Sequence, residues 1–211
     1  MPLLDEMKEA VVRGDRDQVV AKVGQALSEG LPPGDILTEG LIRGMDVVGG
    51  KFQKGEYYIP HMLLAARAMH GALDLLKPKL AASGAKPAGK VVLGTVKGDH
   101  HDIGKNLVAM MLEGKGFEVV DLGIDVPPRK FVEAIADDVQ IVALSALLST
   151  TAPFLKETIA EMAAAGVRDR VKVMVGGGVV TQEYADAIGA DAYGRDAASA
   201  AEIAVRLVGQ G

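Results

Sequence analysis

The sequence predicts an α/β protein in which a five-stranded parallel sheet, wrapped by helices, is preceded by a bundle of four helices. Three observations carry that reading. Apolar residues recur at helical spacing from residue 3 to about residue 82. A small, breaker-rich stretch follows at 83–89, and from residue 90 onward apolar β-runs alternate strictly with helical patterns.

In the first half, Leu4, Met7 and Val11 share one helical face, and Val19/Val20, Val23 and Leu27 another. Leu37, Leu41, Met45, Val48 and Phe52 advance in steps of four and three. Met62, Ala66, Met69, Leu73 and Leu76 repeat 4-3-4-3, a narrow stripe suited to helix–helix contact. Breaks fall at Gly14-Asp15, across Gly30–Gly34 and from Gly55 to Pro60, with Asp15 and Asp35 placed to cap the second and third helices. Four helices with short connections make a small antiparallel bundle, assigned to residues 1–82. The segment 83–89, Ser-Gly-Ala-Lys-Pro-Ala-Gly, reads as a linker.

The second domain is assigned to residues 90–211. Its strands are predicted at 90–96, 117–122, 139–145, 171–176 and a short 190–193. Its helices are predicted at 104–115, 128–137, 152–165, 181–188 and 196–208. Such alternation calls for right-handed crossovers, and five strands suit a flavodoxin-like (Rossmann-like) doubly wound arrangement.

Composition narrows the function classes. The chain has 211 residues, 49% apolar and 24% charged, an ordinary balance for a globular protein. Aromatics are only 4% and Trp is absent, so the core rests on Ala, Val, Leu, Ile and Met. A net charge of −5 without a basic run argues against nucleic acid as a partner. The absence of Cys removes disulfides, thiolate zinc sites, iron–sulfur clusters and a Cys nucleophile together. No signal-peptide plan and no membrane-length apolar run are visible, so a cytoplasmic location is expected.

The chemistry concentrates in Gly98-Asp99-His100-His101-Asp102-Ile103-Gly104-Lys105-Asn106, after the first strand and before a helix. In an open α/β sheet ligands bind at such strand ends. A loop histidine can simply hydrogen-bond locally. Here Asp99, two residues before His101, is placed to fix one ring nitrogen and leave the other for a metal. Gly104 permits close approach where the helix begins. His100 alternates with His101 and is expected to face solvent. A conventional metal site needs two or three more protein ligands, and His61 and His70 lie in the helical half. One histidine therefore points to a metal whose remaining coordination comes from a macrocycle.

Asp99-x-His101-x-x-Gly104 resembles the Asp-x-His-x-x-Gly signature of base-off, His-on corrinoid (cobalamin)-binding domains. Ser145-Ala146-Leu147, followed by Ser149, Thr150 and Thr151, resembles that family's Ser-x-Leu element, and Gly176-Gly177-Gly178 its Gly-Gly element. Val47 to Phe52 and Gly55 to Pro60 resemble the helical cap of cobalamin-dependent methyltransferases such as methionine synthase. The resemblance spans nearly the whole chain. It is nearest to the stand-alone corrinoid proteins of methylamine, methanol and aromatic O-demethylase systems.

The resemblance implies roles residue by residue. His101 would ligate cobalt, with Asp99 and Thr151 extending a relay behind it; Thr151 stands where methionine synthase has a serine. Asp102, Ile103 and Gly104 would border the corrinoid, and Leu147 would touch the macrocycle from below. Ser145, Ser149, Gly176, Gly177 and Gly178 would line a slot for the nucleotide tail. A plain strand-to-helix turn is the competing reading of the three glycines. Tyr193 and Gly194 would border the buried base or form a simple turn. Tyr58 and Met62 would cover the upper face or be ordinary core, and His61 is expected on the bundle surface.

The implied function is a methyl carrier that works through methyl-cobalt, with the cap moving about the 83–89 linker. It would shuttle between a substrate:corrinoid methyltransferase and a second methyltransferase with a tetrahydropterin or thiol acceptor, served by a reductive activator. Alone it would not be a complete enzyme, and the methyl donor would be chosen by the partner. The alternatives are the corrinoid subunit of an adenosylcobalamin mutase and a B12-dependent regulator.

Overall fold

The computed structural model describes residues 2–82 and 87–209. Residues 83–86 of the expected linker lie outside the described residues. The chain divides into two compact units, residues 1–87 with 114–116 and residues 88–113 with 117–211.

The first unit is helical. Helix α1 (Pro2–Arg13) buries Leu4, Met7, Ala10 and Val11 along one stripe. Gly14, at φ 69°, ends it in the left-handed region open to glycine. Asp15 then caps α2 (Arg16–Ser28), its carboxylate accepting the Gln18 N–H at 3.1 Å. The third helical segment departs from expectation. It begins at Pro33 rather than after Asp35, as α3 (Pro33–Asp35), runs through a π-helical stretch Ile36–Ile42, and continues as α4 (Arg43–Gln53). Pro33 carries the fixed φ that starts a helix, so Asp35 falls inside the first turn and caps nothing.

Helix α5 (Ile59–Ala82) buries the whole predicted stripe, Met62, Ala66, Met69, Leu73 and Leu76. Ala65, Ala68 and Ala72 are buried as well, so the buried side is broader than a 4-3 seam. Helix α5 packs chiefly on α2, while α1 packs on α2, the π-helical stretch and α4. Two glycines make the α1 crossing close. A Cβ on Gly40 would lie 2.6 Å from Met7 Sδ, and one on Gly44 would lie 2.7 Å from Val11 Cβ.

The second unit is a five-stranded, fully parallel sheet in the order β2-β1-β3-β4-β5. The strands are β1 (Lys90–Thr95), β2 (Glu118–Asp121), β3 (Ile141–Ser145), β4 (Lys172–Gly176) and β5 (Ala192–Gly194). This is the flavodoxin-like order, whose topological switch point lies between β1 and β3. Helices α6 (Ile103–Gly114), α7 (Pro128–Glu133), α8 (Pro153–Ala164), α9 (Gln182–Ala187) and α10 (Ala197–Val208) make the crossovers. Helix α7 stops four residues short of the predicted 137: Ala134 is its C-cap, and Asp137 and Asp138 lie in the following turn.

One face of the sheet carries a contiguous core that includes Val92, Val142, Val173, Phe131, Leu155 and Met162. Phe131 closes over Gly94, where a Cβ would sit 2.7 Å from its ring. The pairing places Thr95, Ser145, Gly176 and Gly194 opposite one another on a single rung across four strands. The carboxyl edge of the sheet therefore ends in one row of small residues.

Gly44→Ala is expected to destabilise the protein by about 1–3 kcal/mol in chemical denaturation, because the added methyl meets Val11 in a packed crossing. Gly50→Ala, on the same helix with nothing within 4 Å of its Cβ position, should be neutral or stabilising by up to about 1 kcal/mol. Equal effects of the two would refute the close-crossing account.

Candidate functional site

The site forms at the switch point, where the chain leaving β1 meets the chain leaving β3. Thr95 ends β1, and its hydroxyl donates to the His101 carbonyl at 2.9 Å. The backbone then turns at Gly98, φ 76°, and delivers Asp99 into full burial.

Four donors converge on the Asp99 carboxylate. Oδ1 accepts the His101 N–H at 3.1 Å and lies 2.7 Å from His101 Nδ1. Oδ2 accepts the Leu147 N–H at 2.7 Å and the Thr151 hydroxyl at 2.6 Å. Burial pushes the carboxyl's pKa upward. The bonds from Thr151, the Leu147 N–H and His101 outweigh it and hold the group well below the usual carboxylate range. Asp99 is thus an anion that only accepts, which assigns the ring proton of His101 to Nδ1 and the lone pair to Nε2. The His101 side chain is 50% exposed, and Nε2 has no hydrogen-bond partner among the described residues.

Beside His101 lies a cavity of about 540 Å³. Strand residues Leu93, Ala143 and Met174 form its floor, and Gly104 and Val108 of α6 face Ala197 and Ala200 of α10 across it. His100, Asp102, Ile103, Ser145, Leu147, Tyr193, Gly194 and the Gly176–Gly178 run also line it. His100 is exposed, as expected, yet borders the mouth. Asp102 is exposed and accepts from Asn106 Nδ2 at 3.2 Å. Ile103 is 67% exposed and Leu147 40%, so apolar surface stands open around the imidazole.

Besides Asp99, four predicted residues stand outside the cavity lining. Thr151 is buried behind Asp99, its hydroxyl donating to the carboxylate. Ser149 is exposed on the loop after β3 and does not line the cavity. Tyr58 and Met62 belong to the helical unit, Tyr58 exposed and Met62 buried. His61 is exposed there, accepting the Tyr58 N–H at 3.1 Å and stacking on Tyr57.

The glycines divide into two kinds. A Cβ on Gly177 would lie 2.0 Å from the Ala146 carbonyl oxygen, on Gly176 2.9 Å from that of Gly194, and on Gly194 2.8 Å from Ala200 Cβ. These glycines line the cavity, but the protein's own packing also requires them. Gly104 is different: a Cβ there meets nothing within 4 Å, and its φ is not in the left-handed region. Glycine inside a helix costs about 1 kcal/mol against alanine, and no protein contact accounts for it here. The space it leaves opens on the cavity.

Sequence reasoning overlooked Lys105, Asp121 and Asp125. Lys105 is buried, lines the cavity and pairs with Asp121 at the end of β2. Asp125 holds the Gly98 N–H. A lysine straight after the motif glycine was a visible signal; the two acids were not, because only the sheet order brings β2 beside β1.

Among the described residues no three His, Cys, Asp or Glu side chains gather as a metal site. The arrangement therefore offers one pinned imidazole, an open nitrogen, apolar surroundings and an adjoining slot. These features fit a metal held by a macrocycle with a pendant tail. No helix among the described residues is long and apolar enough to cross a membrane.

Comparison with known proteins agrees. Residues 89–202 match the family described as B12 binding domain, and residues 3–77 match a second family of the same description. The chain is 42% identical to dimethylamine corrinoid protein 3 of Methanosarcina acetivorans, over 98% of this chain and 97% of that protein. It is 43% identical to the trimethylamine corrinoid protein of Methanosarcina barkeri, over 92% of this chain and 91% of that one. Among solved structures, the methanol:cobalamin methyltransferase complex MtaBC of Methanosarcina barkeri superposes with a TM-score of 0.86 at 31% identity, covering all of this chain and 81% of that one. With both halves matched and full-length relatives above 40% identity, the chain belongs to the corrinoid proteins that carry paired B12 binding domains.

Proposed function

We propose that this protein is a methyl carrier that binds cobalamin or another corrinoid base-off and His-on. It would exchange the methyl group with a substrate:corrinoid methyltransferase on one side. On the other it would meet a methyltransferase with a tetrahydropterin or thiol acceptor, and a reductive activator would serve it. The observation that carries this reading is the Asp99 network, which leaves His101 Nε2 as one open ligand atom beside a slot. The relatives named for dimethylamine and trimethylamine, and the structure of a methanol:cobalamin methyltransferase complex, support the methyl-transfer class. A cytoplasmic location accords with the absence of Cys.

When bound, a corrinoid supplies a cobalt centre able to accept and release a methyl group. The chain's residues supply position and charge. His101 Nε2 would ligate the cobalt, and Asp99 would hold the proton on Nδ1 so that Nε2 stays a donor of its lone pair. Thr151 and the Leu147 N–H keep Asp99 anionic in a buried setting, so that it holds the imidazole by accepting from it. Leu147 and Ile103 would offer apolar contact to the macrocycle, and the slot lined by Gly104, Ser145 and Gly176–Gly178 would receive the nucleotide tail. The choice of methyl donor would rest with the partner methyltransferase.

His101→Ala, reconstituted with hydroxocobalamin, should still bind but show the visible spectrum of a water-ligated, base-off cobalt(III); an unchanged spectrum refutes the ligand assignment. Asp99→Asn should retain binding while shifting the cobalt(II)/cobalt(I) midpoint potential or its pH dependence, read by spectroelectrochemistry. No response in either quantity would refute the relay. Gly104→Val should leave the unloaded protein folded, with a Tm within a few degrees of wild type, while weakening corrinoid uptake about tenfold or more, since each 1.4 kcal/mol of steric loss is tenfold. Equal uptake would show that nothing approaches the helix start.

A further inference from the structure

Among the described residues Asp125 is the one non-glycine with positive φ, at 51°. Glycine would adopt that conformation with less strain, so the side chain must bring something in return. Its Oδ1 accepts the Gly98 N–H at 2.6 Å, and its own N–H donates to the Asp99 carbonyl at 3.0 Å. Both bonds fall on the turn that delivers Asp99 into burial. Gly98 itself stands at φ 76°, a conformation with several open alternatives for glycine, so an anchor on its N–H removes freedom where the loop has most of it.

The same short segment holds the other end of the loop. Asp121, at the end of β2, accepts the Gly123 N–H at 2.9 Å through Oδ1 and pairs with Lys105 Nζ through Oδ2. Lys105 is 3% exposed and also donates to Asn106 Oδ1 at 2.6 Å. Between the two acids the backbones are zipped: the Thr95 N–H donates to the Gly123 carbonyl and the Val126 N–H to the Thr95 carbonyl, each at 3.0 Å. Residues 121–126 thus grip residues 98–105 at both ends, and among the described residues none of their hydrogen bonds is to His101.

We infer that Asp125, seconded by the Lys105–Asp121 pair, is a positioning residue that fixes the His101 loop in its ligand-presenting form before any corrinoid arrives. The inference rests on the proposed role of His101 as the lower ligand. Its purpose is entropic: a loop already held loses little freedom when its imidazole meets the metal. The acceptor oxygen matters, not the negative charge, because Asn tolerates the same backbone region and offers the same oxygen.

The test uses Asp125→Asn and Asp125→Gly in the full chain. Asp125→Gly removes the acceptor and relieves the strain together, so it is expected to fold. In the unloaded protein, amide hydrogen exchange at Gly98 should be about tenfold faster in Asp125→Gly than in wild type, and near wild type in Asp125→Asn. After loading with hydroxocobalamin and reduction to cobalt(II), electron paramagnetic resonance with isotope-labelled histidine reports the fraction of His-ligated metal. That fraction should fall in Asp125→Gly and hold in Asp125→Asn. Unchanged exchange in Asp125→Gly, an unchanged His-ligated fraction, or equal loss in both variants overturns the inference. If wild type shows no histidine nitrogen splitting, the ligand reading fails instead, and that outcome is separate because the exchange measurement needs no cofactor.

Discussion

The second unit is organised around one buried anion. An ionised carboxylate withdrawn from water costs several kcal/mol unless donors replace its hydration. Asp99 has four: two backbone N–H groups, a hydroxyl and an imidazole. Two of these come from its own turn and two from the chain that leaves β3. The donors can meet only if β1 and β3 lie side by side, which the 2-1-3-4-5 strand order ensures. Sheet order, loop conformation and imidazole orientation are therefore mutually dependent through one side chain.

Much of the fold was legible because its signals are local. Alternation of β-runs with helical patterns is enough for five parallel strands, and Asp15 caps α2 because an N-cap needs only the residues beside it. Where the third helix begins was misread because Asp35 looked like a cap, while Pro33 starts the turn earlier. The π-helical stretch Ile36–Ile42 has no sequence signal of its own. Helix α7 ends at Glu133, although Ala134, Ile135 and Ala136 carry no breaker to say so.

At the site, the Asp99–His101–Gly104 spacing was readable since all three fall within six residues. The resemblance implies a relay role for Thr151, and its hydroxyl donates to Asp99 at 2.6 Å. Asp121, Asp125 and Lys105 escaped notice because their partners are brought by sheet register and not by sequence proximity. Ser149 shares the β3 loop with Leu147 and Thr151 but is exposed and does not line the cavity, a difference that composition does not encode. The glycine run likewise has a double meaning, lining a slot and satisfying the protein's own crowding at Ala146, Leu147 and Gly194.

The rung formed by Thr95, Ser145, Gly176 and Gly194 has a consequence for how this protein can diversify. Because two of its four members carry no side chain and a Cβ on either would lie within 3 Å of neighbouring chain, the gauge of the slot is a dimension of the main chain. Side-chain exchange at that edge has little room in which to tune it. A descendant wanting a wider or deeper slot would have to respace whole strands, and slipping a strand by one residue turns its core face outward. The edge thus behaves as a fixed aperture.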